Sequence, residues 1–116
     1  MANTFKVKTH PAMPASAGTF DTLYTCGASN GSVVLGLILC NVDNSQRTVD
    51  VKLVSNTSDT ETNADVLLLK DVPIPAGSSL EVLSGGKVVI QNTDVIQIDS
   101  DVTAKIDATL SIMEMT

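Results

Sequence analysis

Aromatic side chains are nearly missing from this sequence: it has no Trp, one Tyr (Tyr24) and two Phe (Phe5 and Phe20). Single-strand nucleic-acid binders stack bases on aromatic rings, and sugar-binding surfaces use rings in a similar way, so both functions lose ground. Positive charge is also scarce, with seven Lys and Arg against thirteen Asp and Glu and a net charge of −6. Nucleic-acid and anionic-membrane binding rest on basic residues that neutralise phosphate, and this balance speaks against either partner. Histidine occurs once, as His10. A Ser–His or Cys–His pair or an acid–base constellation needs positioned partners, so the chain is expected to be non-enzymatic. Two cysteines, Cys26 and Cys40, are too few for a disulfide framework. Both sit in apolar sequence and read as small hydrophobes, with a single bridge between them left open. No apolar leader segment stands within residues 1–18, and the longest apolar run, Val33 to Cys40, falls far short of the ~20 residues of a membrane span. The expectation is a protein made and kept in a cytosol, or released only by lysis.

What is present points to strands. The chain has 116 residues, 43% of them hydrophobic and 17% charged, enough for one domain with a core of its own. Val, Ile and Leu dominate the apolar set and suit a pleated surface. Thr, Ser, Asn and Asp dominate the polar set and suit turns. Residues 1–18, with Pro11 and Pro14, lack a sustained period and read as an extended arm, although Phe5-Lys6-Val7-Lys8 alternates briefly as a short edge strand would. From Thr19 strands follow at short intervals. Thr19–Thr25 is the first, with a turn at Gly27–Gly31 after it. Ser32–Val42 is almost continuously apolar and reads as a central strand buried on both faces. Arg47–Ser55 alternates, with Val49, Val51 and Leu53 on one side. Asn56–Asn63 reads as a polar loop, Ala64–Val72 as a strand, and Pro73–Gly77 as a break.

Ser79–Leu83 and Lys87–Gln91 then read as a hairpin closed by Gly85-Gly86. Val95–Asp99 follows, with Ile96 and Ile98 inward. The last strand places Ile106, Ala108, Leu110 and Ile112 inward and Lys105, Asp107, Thr109 and Ser111 outward. The sum is about eight strands in a single-domain, all-β antiparallel sandwich of jelly-roll type, occupying residues 19–116.

Local motifs carry little chemistry. The turn carboxylates Asp43, Asp59, Glu61, Asp65, Asp94, Asp99 and Asp101 could in principle serve calcium. Asp is nonetheless a common turn residue, so no metal and no cofactor is assigned. Asn30-Gly31-Ser32 and Asn56-Thr57-Ser58 match the glycosylation pattern and are read as chance. Gly85-Gly86-Lys87 lacks the context of a phosphate loop. At the C-terminus Met113 and Met115 alternate with Ile112 and Glu114, so one face of the last strand turns apolar where the other becomes charged. Six residues are candidate assembly contacts: Phe5, Val7, Pro11 and Pro14 in the arm, and Met113 and Met115 in the last strand.

The stretch Leu67–Ile90, with its Pro75-Ala76-Gly77 turn, Leu80-Glu81-Val82-Leu83 strand and Gly85-Gly86 pair, leads on to Asp94-Val-Ile-Gln-Ile and Leu110-Ser-Ile-Met-Glu-Met-Thr. Ahead of it stand Leu23-Tyr24-Thr25 and Asn41-Val42-Asp43-Asn44. Over residues 19–116 this order resembles short β-rich virion proteins of tailed phages, notably cyanophages. The resemblance implies a virion structural protein with no catalytic residues, made in the bacterial host cytoplasm. A capsid decoration (cement) protein on the outer head surface is favoured, bound to the major capsid protein or other virion proteins and self-associating, with a trimer favoured. The alternative is a neck, head–tail or tail-fibre module, able to bind a host surface ligand.

Overall fold

A computed structural model describes residues 3–55, 63–83 and 86–116. No described residue is helical, and nine strands form two antiparallel sheets. They are β1 (Asn3–Met13), β2 (Asp21–Thr25), β3 (Ser32–Asn41), β4 (Arg47–Val54), β5 (Val66–Ile74), β6 (Ser79–Glu81), β7 (Val88–Ile90), β8 (Val95–Ser100) and β9 (Ile106–Met115). One sheet runs β1-β9-β3, with β6 and β7 end to end along the far edge of β3; the other runs β2-β8-β4-β5. With β6 and β7 counted as one interrupted strand, this is the eight-strand jelly-roll wiring.

The inward faces follow the two-residue period. Ile106, Ala108, Leu110 and Ile112 of β9 meet Val34, Leu37 and Leu39 of β3 and Val49, Val51, Ile96 and Ile98 of the opposite sheet, all buried. Several differences from expectation have physical causes. Residues 3–13 are not an arm apart from the sandwich: they form edge strand β1, paired with β9 from Asn3↔Met115 to Met13↔Ile106. The alternation is confined to Phe5-Lys6-Val7-Lys8 because neither face of β1 is covered from Asn3 to Thr9, so its core-side positions, Thr4, Lys6 and Lys8, had no reason to be apolar. The strand is held by its backbone ladder and by its far end, where Met13 is fully buried.

β3 is central, as expected, but it is buried on one face only. Val33, Leu35 and Cys40 remain half-buried on the other face and Ile38 is exposed. β6 and β7 do not form a hairpin with each other, since the length of β3 gives each a separate stretch of backbone to pair with. Gly85 and the 56–62 segment, with its expected loop, its sequon and Asp59 and Glu61, lie outside the described residues. β5 runs on through Pro73 to Ile74 rather than breaking at Pro73; the missing N–H is tolerated because β5 is a sheet edge.

The Asn30-Gly31 turn carries the chain from one sheet to the other. Gly31 adopts φ +88°, and a Cβ there would stand 2.7 Å from the Ile90 carbonyl oxygen, so only glycine fits. Asn41 pins a second crossing: its buried amide donates to the carbonyls of Ser45 and Ile74 at 2.9 Å each.

Candidate interaction surface

The outer face of the five-stranded sheet gathers exposed apolar side chains. Phe5 pairs with Met113, Met113 with Val33, and Val33 with Val89. Residues directly opposite on neighbouring strands share a face. The flanking Val34, Ile90 and Ile112 are buried inward, so these four point outward as one row across β1, β9, β3 and β7. Phe5 is 72% exposed and Val89 67%, while Met113 and Val33 are half-buried. The next row holds Val7, 62% exposed, opposite Ser111. Beyond Ser111 lie Gly36 and the extra residue of a β-bulge, Leu35. Ile38, 44% exposed, extends the apolar area along β3. At its far end this face carries charge, with Glu81 opposite Ile38 and Asp107 opposite Cys40.

Of the six candidate contacts, four come together here: Phe5, Val7, Met113 and Met115, the last paired with Asn3. Pro11 is exposed at the other end of β1. Pro14 is buried within its own chain, where its carbonyl accepts a hydrogen bond from Ala104 at 2.9 Å; it offers nothing to a partner. Val33, Leu35 and Val89 were not singled out from the sequence. The signal for Val33 and Leu35 was the apolar run of β3, which looks the same whether its second face is covered from within the chain or left open.

Behind the row, on the core side of the same strands, a polar chain closes the end of the sandwich. Lys6 is ion-paired with Glu114 at 2.7 Å, and the Tyr24 hydroxyl donates to the other Glu114 oxygen at 2.6 Å. With its proton committed there, Tyr24 accepts from Ser32 at 3.0 Å, and Ser32 in turn accepts from the Cys26 thiol at 3.3 Å. Burial and the Glu114 carboxylate push the Tyr24 phenol well above its ordinary range. Lys6 first, then Tyr24, holds the Glu114 carboxyl below its ordinary value. Glu114 thus fastens the exposed strand β1 to the core beside the apolar row.

The remaining candidates do structural work. Asp99 accepts from the Gly18 N–H at 3.0 Å and Asp101 from the Thr48 N–H at 3.2 Å, so both fasten turns. Asp43 accepts from Arg47 at 2.7 Å, and that guanidinium holds its carboxyl below the ordinary range. His10, half-buried on β1, meets the Pro11 carbonyl and lies 3.7 Å from Asp21. Cys26 and Cys40 are both free thiols. Among the described residues no group of three or more His, Cys, Asp and Glu could hold a metal ion.

No family model and no curated protein matches the chain. Among solved structures it is similar to one described as "Bacillus endospore appendages form a novel family of disulfide-linked pili", with a TM-score of 0.51 and 13% identity over 98% of this chain and 87% of that one. At that identity the likeness concerns the fold alone, and it agrees with an all-β sandwich.

Proposed function

We propose that this protein is a non-catalytic structural subunit that works by docking into a larger protein assembly. The observation that carries this reading is the apolar row Phe5–Met113–Val33–Val89 on an otherwise acidic molecule. Exposed apolar area gathered in one place marks an interaction surface, and two of the four residues are more than 60% exposed. The free edge of β1 adds a line of backbone donors and acceptors at the margin of the row.

A phage-head decoration protein is the finer form of the proposal. It draws on the resemblance of residues 19–116 to tailed-phage virion proteins, and on the net charge of −6, which suits an outer surface better than one facing packaged DNA. The pilus-forming neighbour agrees with assembly in general and is silent on a phage head. Quantitative mass spectrometry of purified particles tests the proposal. A copy number comparable to that of the shell protein is expected of a decoration protein, and a handful of copies moves the chain to the neck or tail. Absence from particles, with Phe5→Glu and Val89→Glu leaving every binding behaviour unchanged, sinks the structural-subunit reading.

A further inference from the structure

We propose that the occupant of the apolar row is a second copy of this chain, packed face to face about a two-fold axis that runs parallel to the strands between β9 and β3. The inference rests on the assembly reading above and names its partner.

The row runs Phe5, Met113, Val33, Val89 from one edge of the sheet to the other: two large side chains, then two small ones. A two-fold between the second and third positions sets Phe5 over the partner's Val89 and Met113 over the partner's Val33. Each large residue then meets a small one, as interdigitated sheets packed ~10 Å apart require. The same operation lays Ser111 over the shallow surface at the partner's Gly36.

Charge gives the same answer. Two molecules of net charge −6 repel, so copies can meet only where acidic groups do not face each other. The paired residues of the Phe5 and Val7 rows, Phe5, Met113, Val33 and Val89 and then Val7, Ser111 and Gly36, are all uncharged. At the far end the two-fold places Glu81 over the partner's Thr9, whose own row is Thr9–Thr109–Ile38–Glu81, and Asp107 over the partner's Cys40. No acid meets an acid. Size also fits: four strands at ~4.8 Å spacing and ten residues at ~3.4 Å give a face of roughly 650 Å², of the order of the ~800 Å² that a standard interface takes from each partner. A pair closed by a two-fold is isologous, which distinguishes it from the trimer expected from the resemblance.

Disulfide trapping in a Cys40→Ser background tests the geometry. Phe5→Cys and Val89→Cys chains, mixed and oxidised, are expected to give a cross-linked pair, with little from either variant alone. Sedimentation is expected to show a concentration-dependent dimer, and Phe5→Glu is expected to weaken it by roughly 100-fold. Both positions are solvent-exposed, so circular dichroism of the variants stays that of the wild type, and so does melting at concentrations where the wild type is itself monomeric; a lost dimer is then not a lost fold. Cross-linking of Phe5→Cys with itself as fast as in the mixture overturns the proposal in favour of edge-to-edge pairing of β1. A wild-type monomer throughout the micromolar range also overturns it. If Phe5→Glu then still blocks incorporation into particles, the assembly reading stands with a different partner.

Discussion

The two sheets bury the same kind of residue and present opposite surfaces. Inward, both offer Val, Ile and Leu at two-residue spacing. Outward, the four-stranded sheet mixes polar side chains with the exposed Leu67 and the half-buried pair Val54 and Val95, and it answers its own charges. Lys52 lies 3.9 Å from Asp65 and 5.1 Å above the Phe20 ring, Asp50 accepts from the Asp71 N–H at 2.6 Å, and Gln97 donates to Thr22 at 3.4 Å. The outer face of the five-stranded sheet instead shows Phe5, Val7, Val33, Ile38, Val89 and Met113. A polar outer face needs only water; an apolar one gains free energy when something covers it. Under the proposed function the five-stranded sheet, with its wider row of exposed apolar side chains, is the face that docks.

Substitutions probe that contrast, beginning where the effect is greatest. Leu110→Ala, on the buried side of β9, removes packing from both sheets and is expected to cost about 2–5 kcal/mol in urea unfolding. A loss below about 1 kcal/mol would mean that the inner faces are looser than their burial indicates. Gly31→Ala strains the crossing between the sheets and is expected to cost about 1–3 kcal/mol; an unchanged melting temperature counts against the tight approach to the Ile90 carbonyl.

Acid separates the polar chain from the apolar row beside it. The Glu114 carboxyl is held below its ordinary 4.5, so the folded state takes up this proton less readily than the unfolded one. The stabilisation from Glu114 is complete above 4.5 and is lost as pH falls through the depressed folded value. Denaturant titrations of wild type and Glu114→Gln should converge on acidification below 4.5; a gap that stays constant shows that the carboxylate is not what ties down β1. On the four-stranded face, Lys52→Ala removes an exposed ion pair and a ring contact and is expected to cost about 0.5 kcal/mol. The smallest effect on stability is expected from Val89→Ser on the apolar face, within about 0.5 kcal/mol, together with a clear drop in binding of a hydrophobic dye. A large loss of stability there would make Val89 part of the core after all.

Much of the sandwich was legible because an inward face imposes a period. Ile106 to Ile112, Ile96 with Ile98, and Val49 with Val51 announced their sides, and the turn residues set the strand spacing. Legibility failed where no core constrains the pattern. β1 is covered on neither face along most of its length, so its alternation stops after Phe5-Lys6-Val7-Lys8 and the segment resembles an arm. β3 fills its outward side with Val33, Leu35, Ile38 and Cys40, and a strand apolar on both sides looks the same whether the second cover belongs to its own chain or to another. The pairing of β6 and β7 with β3 rather than with each other depends on partners 39 to 58 residues earlier in the chain. For the interaction surface, Phe5, Val7, Met113 and Met115 could be found from the sequence. Their alignment with Val33 and Val89 could not, because register across four strands is a tertiary fact.

The pairing of β1 with β9 also sets the order in which the molecule can be completed. The Ala12 N–H donates to the Asp107 carboxylate across 95 residues of chain, and closing so long a loop is among the slowest steps open to a small β protein. During synthesis β1 emerges early and must wait, unpaired, for the last strand to arrive. Folding of this chain is therefore expected to end with β1, and Phe5 joins Met113 and Val33 only at that step. The apolar row is thus the last surface of the molecule to form, which delays any contact made through it until the subunit is otherwise folded.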